Sequence, residues 1–539
     1  MWVIAIVLSI FLSIFSTAVM SYISMATPIG PWIASTLVLI AMLVYKVLRQ
    51  KDHVSEQLAL VTVAGSIGGI LATAMGFSFP TLYFLDPILF NEWMSKPFYF
   101  CTVLAAFAFV AGWFGLWIAN VVEHKFIVEE KLAFPIGQLV QKMIAAQNQV
   151  RKAWELMIGF VGTGVFCILQ DGIFGLKGFI PKSIALIPAT TLPIGSRFQL
   201  MIPMIPFDIW PMLWAIGFVT GHVIAVPLAV GALSKIFVVD VINRQFFPDT
   251  KSIEFVLAFC SGMVLAGALQ GLLDTPAILW NAIKKMTEGN ANKSTPGFLQ
   301  SIKREYLIEA VLVVLCLVAF FTYFNFSLIA QLYLILFAFV CTYQMALIGG
   351  KLGLAQLGRF ATFVMVPAMF LFNLNSVQIV LISTFVELCG GVATDILFGR
   401  KIGSLAHISH RRLRSFQYLG LVVSSITIGV VFWLLIKQFT LGSPDLLAIR
   451  AQARQLLIGV KAFDYYILII GLLFGFLLKV VKMNPMLVLG GLLMPLNISV
   501  GLMLGGCATL LTKAKEEWYP FWSGVFASNS VWMLLKAIV

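Results

Sequence analysis

The sequence predicts an all-α polytopic membrane protein with about 14–16 transmembrane helices and a two-fold internal repeat built on broken or hairpin helices. Three observations carry this reading. Of 539 residues, 60% are hydrophobic, whereas Asp, Glu, Lys and Arg together supply 11%, less than half of the roughly 25% in a soluble domain. The apolar residues form continuous runs, without the alternation over about ten residues that marks a transmembrane β-strand. The net charge of +13 sits in short loops between the runs, as the positive-inside rule expects, and gives no sign of a nucleic-acid surface. A soluble enzyme is excluded, because too few charges remain to cover an outside that faces water.

The runs lie at 2–25, 29–48, 57–84, 98–122, 153–176, 209–234, 253–283, 306–324, 326–349, 360–373, 377–398, 416–436, 464–481, 485–511 and 519–538. Trp2 to Met25 is uncharged with no basic residue ahead of it, so it reads as a retained first helix, not a cleaved signal peptide. Lys46, Arg49 and Lys51 follow the second run, and Lys125, Lys131, Lys142, Arg151 and Lys152 follow the fourth. Asp86 and Glu92, with only Lys96, follow the third, which places the N-terminus in the cytoplasm. Keeping that alternation through the basic loop 284–305 requires 253–283 to enter and return; 485–511 is interrupted in the same way, so either can be a hairpin.

Two stretches fit no simple span. Residues 178–208 hold Pro181, Pro188, Pro193, Pro203 and Pro206, which predicts an extended or partly re-entrant segment on the outer side. The stretch 126–150 continues into an amphipathic run, as either an interfacial helix or a piece folded into a cavity. Superposing 211–233 on 485–507, an offset of 274, aligns Pro211-Met212-Leu213 with Pro485-Met486-Leu487, Gly217 with Gly491, Ile224 with Ile498 and Gly231 with Gly505. The chain then divides into an N-terminal transmembrane half, 1–283, a polar cytoplasmic linker, 284–305, and a C-terminal transmembrane half, 306–539.

No nucleotide, zinc-protease or nucleophile-elbow motif is present. The seven cysteines lie in apolar runs without a C-x-x-C pair, and the five histidines are scattered, so packing thiols and no metal site are expected. The chain is therefore expected to be no enzyme and to need no cofactor, its energy coming from a gradient or from simple diffusion. Ionisable residues inside spans are costly unless paired or hydrated, which makes them candidates. Glu387 lies mid-span, and Asp395 follows eight residues on, about 80° away around a helix. A carboxyl group in apolar surroundings favours its neutral form and can carry a proton. His222 interrupts the first copy of the repeat as a relay, a substrate contact or a structural imidazole. Glu56 begins the third span, followed by Gly65, Gly68 and Gly69, which allow either ligand contact or close helix packing.

Several segments in order resemble the oligopeptide transporter (OPT) family in its bacterial form. They are Ser55-Glu56 through Gly76-Phe77-Ser78-Phe79-Pro80-Thr81-Leu82, Glu129-Glu130-Lys131-Leu132-Ala133-Phe134-Pro135-Ile136-Gly137, and Gly217 through Gly231-Ala232. Asp395 and Gly399 follow, before a basic cytoplasmic loop with Arg400, Lys401, Arg411, Arg412 and Arg414, then Leu493-Met494-Pro495-Leu496-Asn497-Ile498-Ser499 with Gly505-Gly506. The resemblance implies a secondary active transporter of short or modified peptides or of metal chelates, with inward proton movement. It assigns characteristic positions to Glu56, to the stretch with Glu130, Phe134, Pro135 and Gly137, to Asp395 and to the segment holding Asn497. Two departures stand out: Ile136 replaces a common serine, and His222 replaces a basic residue.

The resulting expectation is a proton-coupled importer of small oligopeptides or peptide-like solutes in the inner or plasma membrane, driven by the proton gradient. Its site would lie between the halves, where 253–283 and 485–511 break. The alternative is an importer of siderophore- or nicotianamine-like metal chelates. Partners are then the solute, protons and membrane lipid, with a homo-oligomer left open and no nucleic acid.

Overall fold

A computed structural model describes the chain except for residues 1, 28–31, 50–53, 133, 146–149, 173–177, 188–189, 194–198, 203, 253, 264, 267–303, 353–356, 460–463, 484, 494–495, 513–514 and 539. The protein is an all-α polytopic membrane protein: among the described residues nine helices are long and apolar enough to cross a bilayer. The chain divides into two compact units, each drawing on both halves of the sequence. The linker 284–305 lies almost wholly outside the described residues.

The first unit comprises residues 1–24, 32–148 and 268–438. Its helices are α1 (Trp2–Ala26), α2 (Ala34–Val47), α3 (Val54–Ser78), α4 (Thr81–Leu85), α5 (Pro87–Ser95), α6 (Pro97–Glu123) and α7 (Pro135–Ala145). Later in the chain come α13 (Arg304–Tyr323), α14 (Leu328–Leu352), α15 (Leu357–Leu371), α16 (Ser376–Leu405) and α17 (His410–Gln438). The centre is α3 and α16, both buried through nearly their whole length. α16 begins with a capping box, in which the Asn375 side chain accepts from Gln378 N (2.9 Å) and Gln378 Oε1 accepts from Asn375 N (3.0 Å). Its Gly390 and Gly391 leave room for Met345 of α14 and Ile70 of α3.

The second unit comprises residues 25–31, 149–267 and 439–539. It holds α8 (Val150–Asp171), α9 (Pro211–Thr220), α10 (His222–Ser234), α11 (Asp240–Phe246), α18 (Ile449–Ile458) and α19 (Tyr465–Val480), then α20 (Pro485–Leu493), α21 (Leu496–Leu511) and α22 (Lys515–Ile538). A further apolar helix, α12, runs over Glu254–Met263. The proline-rich stretch is extended, as expected: β1 (Ser183–Ile187) pairs antiparallel with β4 (Ile205–Asp208), and β2 (Thr190–Pro193) with β3 (Gln199–Ile202). Proline suits such a two-stranded ribbon, whose outer edges need no donor.

Close glycine contacts reveal the duplication. In the second unit Gly217 abuts Leu502 O and Gly491 abuts Leu228 O; Gly231 abuts Val488 O and Gly505 abuts Trp214 O. Each contact becomes its partner when the numbers shift by 274, the offset read from the sequence. The flanking helices obey the same symmetry. Gly159 of α8 abuts Phe521 O and Gly524 of α22 abuts Leu156 O, while Gly471 of α19 abuts Phe259 O and Gly262 of α12 abuts Leu468 O. Thus α8, α9–α10 and α12 repeat as α19, α20–α21 and α22. As α9–α10 ascends in number along its mate, α20–α21 descends, so the mates run antiparallel and the two-fold axis crosses the helices.

The first unit is duplicated too. Gly115 of α6 abuts Cys389 O, Gly420 of α17 abuts Ala64 O, and α3 maps onto α16 with an offset of 325 (Ala64 to Cys389). Two corrections concern the breaks. The run 209–234, read as one span, is split at Gly221, whose φ of 76° and ψ of −178° end α9 and start α10; only glycine adopts that conformation freely. The run 485–511 divides as expected, but α20 and α21 both lie along α9–α10 in one antiparallel register, so they are a broken helix rather than a hairpin. The hairpin expected at 253–283 falls from residue 267 onward outside the described residues.

Equal costs should follow at mated glycines. Gly231→Ala and Gly505→Ala should each lower stability by about 1–3 kcal/mol through overpacking against a backbone carbonyl. Gly162→Ala, with open space within 4 Å, should be neutral or gain up to about 1 kcal/mol from helix propensity. Thermal unfolding of the purified protein in detergent checks this; a cost at only one mate would contradict the two-fold arrangement.

Candidate functional site

The two carboxylates of α16 lie inside the first unit, in the seam with α3. Asp395 is 3% exposed and Glu387 0%. Ser66 of α3 donates to Asp395 Oδ2 at 2.7 Å, and Ser78 of α3 donates to Glu387 Oε2. The antiparallel packing sets this pairing: the serines are twelve residues apart on α3 and the acids eight apart on α16, in opposite order. Among the described residues Asp395 makes no ion pair. Such a seam can hold either carboxyl group neutral, or tolerate its charge while serine hydroxyls point at it.

Five residues beyond Asp395 the same helix buries Arg400, 2% exposed. Its Nε donates to Gln417 Oε1 (2.6 Å), and its two terminal nitrogens donate to Glu123 Oε2 (2.9 Å) and Asn120 Oδ1 (2.9 Å). The His410 imidazole faces the guanidinium at 2.8 Å and Glu123 at 3.4 Å. Asn120 also donates to Glu309 of α13 (3.3 Å), which accepts from Trp113 (3.1 Å), Arg414 (2.8 Å) and Tyr418 as well. Two cations and two anions, Arg400 and Arg414 with Glu123 and Glu309, thus tie together α6, α13, α16 and α17. The sequence reading missed this network. It took Arg400 for a loop charge and passed over Glu309, although Glu309 sits inside an apolar run where the rule on intramembrane charge would have singled it out.

The segment that begins α7 also reaches α16. Lys131 (φ 48°) and Phe134 (φ 46°) are both left-handed, at a cost of roughly 1–2 kcal/mol for each non-glycine residue. Phe134 is fully buried, with its N–H on Gly350 O at 2.7 Å and its ring edge-on to Phe398, centroids 5.9 Å apart. Gly350 is a seat without a side chain: a Cβ there would lie 2.8 Å from Leu132 Cδ1 and 3.0 Å from Phe134 Cζ. A Cβ on Gly137 would lie 2.8 Å from Phe398 O. Pro135 opens α7 at its first position, where its missing N–H costs nothing. Among the described residues of 126–150, Phe126, Ile127, Leu132, Phe134, Val140 and Ile144 are buried, whereas Val128 to Lys131 are exposed.

The other sequence candidates lie elsewhere. Glu56 meets Arg412 at 2.7 Å near the surface, and that guanidinium also covers the Trp2 ring. Gly68 faces Ser16 and Thr17 of α1, and Gly69 faces Ile33, so both serve close packing. Glu130 is exposed at the end of the π-helical turn His124–Glu129. His222 and Asn497 belong to the second unit. His222 is exposed at the first position of α10. Asn497 of α21 donates to Asp208 at the end of β4; burial raises the Asp208 carboxyl above the usual carboxylate range, against the lowering effect of that bond.

Arg400→Ala should cost about 3–5 kcal/mol, because Glu123 and the amides are left facing a buried gap. Arg400→Lys should recover only part of it, since one ammonium cannot reproduce the planar fork. Thermal unfolding checks both, and an alanine variant within 0.5 kcal/mol of the parent, the range of about ±0.5 kcal/mol expected for a surface substitution, would contradict a structural role.

Residues 305–529, from α13 into α22, match the family model described as OPT oligopeptide transporter protein. No curated protein matches the chain. The match includes α16 with Glu387, Asp395 and Arg400, and α17 with Arg414 and Gln417. That segment is thus similar to the OPT oligopeptide transporter family, the family that the sequence resembles.

Proposed function

We propose that this transporter is a secondary active importer that moves short peptides or peptide-like solutes inward together with protons. It would work in the inner or plasma membrane with its N-terminus in the cytoplasm. The observation that carries the reading is the seam of α3 and α16, where Glu387 and Asp395 are buried against serine hydroxyls. Charge is expensive in such surroundings, and protonation removes it. A helix pair whose acids accept and release protons in different surroundings converts a proton gradient into motion.

The family match supports an oligopeptide or related solute. Among the described residues no three His, Cys, Asp or Glu side chains are grouped to hold a metal ion, so a chelate would be recognised through its organic part. Arg400 and its partners hold a different position: they are already saturated by one another and serve to fix α16 rather than to exchange protons.

The test is uptake of a labelled tripeptide into proteoliposomes under an imposed inward proton gradient. Uptake should collapse when the gradient is dissipated. Asp395→Asn and Glu387→Gln should each reduce gradient-driven uptake by about tenfold or more, equivalent to at least about 1.4 kcal/mol, and Ser66→Ala should reduce it less. Uptake that ignores the gradient would overturn the coupling. Gradient-driven uptake of a metal-loaded chelator, with no uptake of the tripeptide, would move the substrate to the chelate class.

A further inference from the structure

We infer that Glu387 forms, with hydroxyl groups of α3, α4, α14 and α16, a binding site for a dehydrated sodium ion. This goes beyond the transport reading, which asks only that Glu387 exchange a proton.

The carboxylate stands among buried oxygens whose protons are spent elsewhere or have no acceptor. Ser383 and Thr384, one turn before Glu387 on α16, both donate to Val380 O, at 3.0 and 2.7 Å. A side chain on a helix leans toward the helix N-terminus, so the Glu387 carboxylate lies over that turn and meets the lone pairs of these two hydroxyls. Thr81 opens α4, which packs on α16. It lies eighteen residues beyond Val63 along the continuous span 54–85, five full turns, and Val63 faces Gly399 of α16. Thr81 therefore shares the face that bears Ser66 and Ser78, one turn past Ser78. On α14, Met345 lies against Gly390 and Gly349 against Thr394, a parallel register with an offset of 45. Thr342 precedes Met345 by three residues, as Glu387 precedes Gly390, which sets it at the level of the acid. Both threonines are fully buried, and neither Oγ1 has a hydrogen-bond partner among the described residues.

A buried hydroxyl without a partner is costly, and so is a carboxylate that faces lone pairs. One cation relieves both, taking the carboxylate and hydroxyl oxygens as its ligands; hard ions prefer oxygen donors of this kind. The single carboxylate balances one positive charge, whereas a divalent ion would leave an uncompensated charge in the interior. A proton on Glu387 cancels the same charge, so proton and ion occupy the site in turn. Size favours sodium over potassium, because the neighbouring turn is closely packed, with Met345 on Gly390 and with Ile70 and Leu357 on Gly391. Asp395 lacks such a cage: Ser66 donates to it, and Ile70 fills the next turn at Gly391.

The test is thermal unfolding of the full-length protein in detergent, at fixed pH and ionic strength, while sodium chloride replaces choline chloride. Sodium at about 100 mM should raise the midpoint saturably by about 3 °C or more, and potassium should raise it by less than half as much. Glu387→Gln should abolish the rise. Thr342→Val and Thr81→Val keep the shape and remove the hydroxyl, and each should raise the half-saturating sodium concentration about tenfold. Thr73 donates to Gly69 O within its own helix (2.7 Å), so Thr73→Val should leave that concentration unchanged. Equal midpoints in sodium and choline, an equal rise with potassium, or a sodium rise that survives in Glu387→Gln would each overturn the site. Should Glu387→Gln not fold, the threonine variants decide, and half-saturation unchanged in both overturns it as well. Peptide uptake that ignores the proton gradient would remove the coupling and leave these midpoints standing, so the two proposals fail separately.

Discussion

A charge placed inside a membrane protein must be satisfied by the protein itself, and this constraint organises the first unit. α16 is buried from Val377 to Gly403 and nevertheless carries Glu387, Asp395 and Arg400. Several of their partners come from neighbouring helices. Ser66 and Ser78 on α3 supply hydroxyls to the acids, and Gln417, Asn120 and Glu123 supply acceptors to the guanidinium. The two solutions differ in kind. Arg400 is enclosed by groups that match its planar fork, which fixes it, whereas each acid accepts from a serine hydroxyl of α3.

The duplication explains how such a helix can be packed so tightly. In the second unit mates meet through glycines set against backbone carbonyls, and in the first Gly115 of α6 and Gly420 of α17 make equivalent close approaches to α16 and α3. The chemistry, by contrast, breaks the symmetry. With the offset of 325 that maps α3 onto α16, Asp395 corresponds to Ile70 and Glu387 to Thr62. Duplication supplied a scaffold of two equivalent long helices; one of them acquired the acids and the other became the surface that hydrogen-bonds them.

Much of this could be read from composition and pattern, because burial in lipid leaves so few charges that the remainder stand out. Glu387 and Asp395 were visible for that reason, as was the offset of 274, which Pro-Met-Leu and spaced glycines mark in both copies. The break at Gly221 was not, since a glycine in an apolar run looks the same whether it bends the chain or admits a neighbour. Gly68 and Gly69 show the converse: they admit α1 and Ile33 and nothing more is needed to account for them. Arg400 was read as a loop residue because basic residues at span ends ordinarily mark the interface. Its true partners, Glu123, Asn120 and Gln417, lie on α6 and α17, and only the three-dimensional fold brings them together.

The measurement that bears most directly on the central claim is proton exchange on binding. Purified protein in weakly buffered detergent solution is mixed with a tripeptide while the pH change is recorded. Binding coupled to protonation of the α16 acids predicts that protons are taken up with the peptide, and that this uptake disappears when Glu387→Gln and Asp395→Asn are combined. Peptide binding with no proton uptake, or uptake that survives in that double variant, would contradict the assignment of the buried carboxylates as the coupling site.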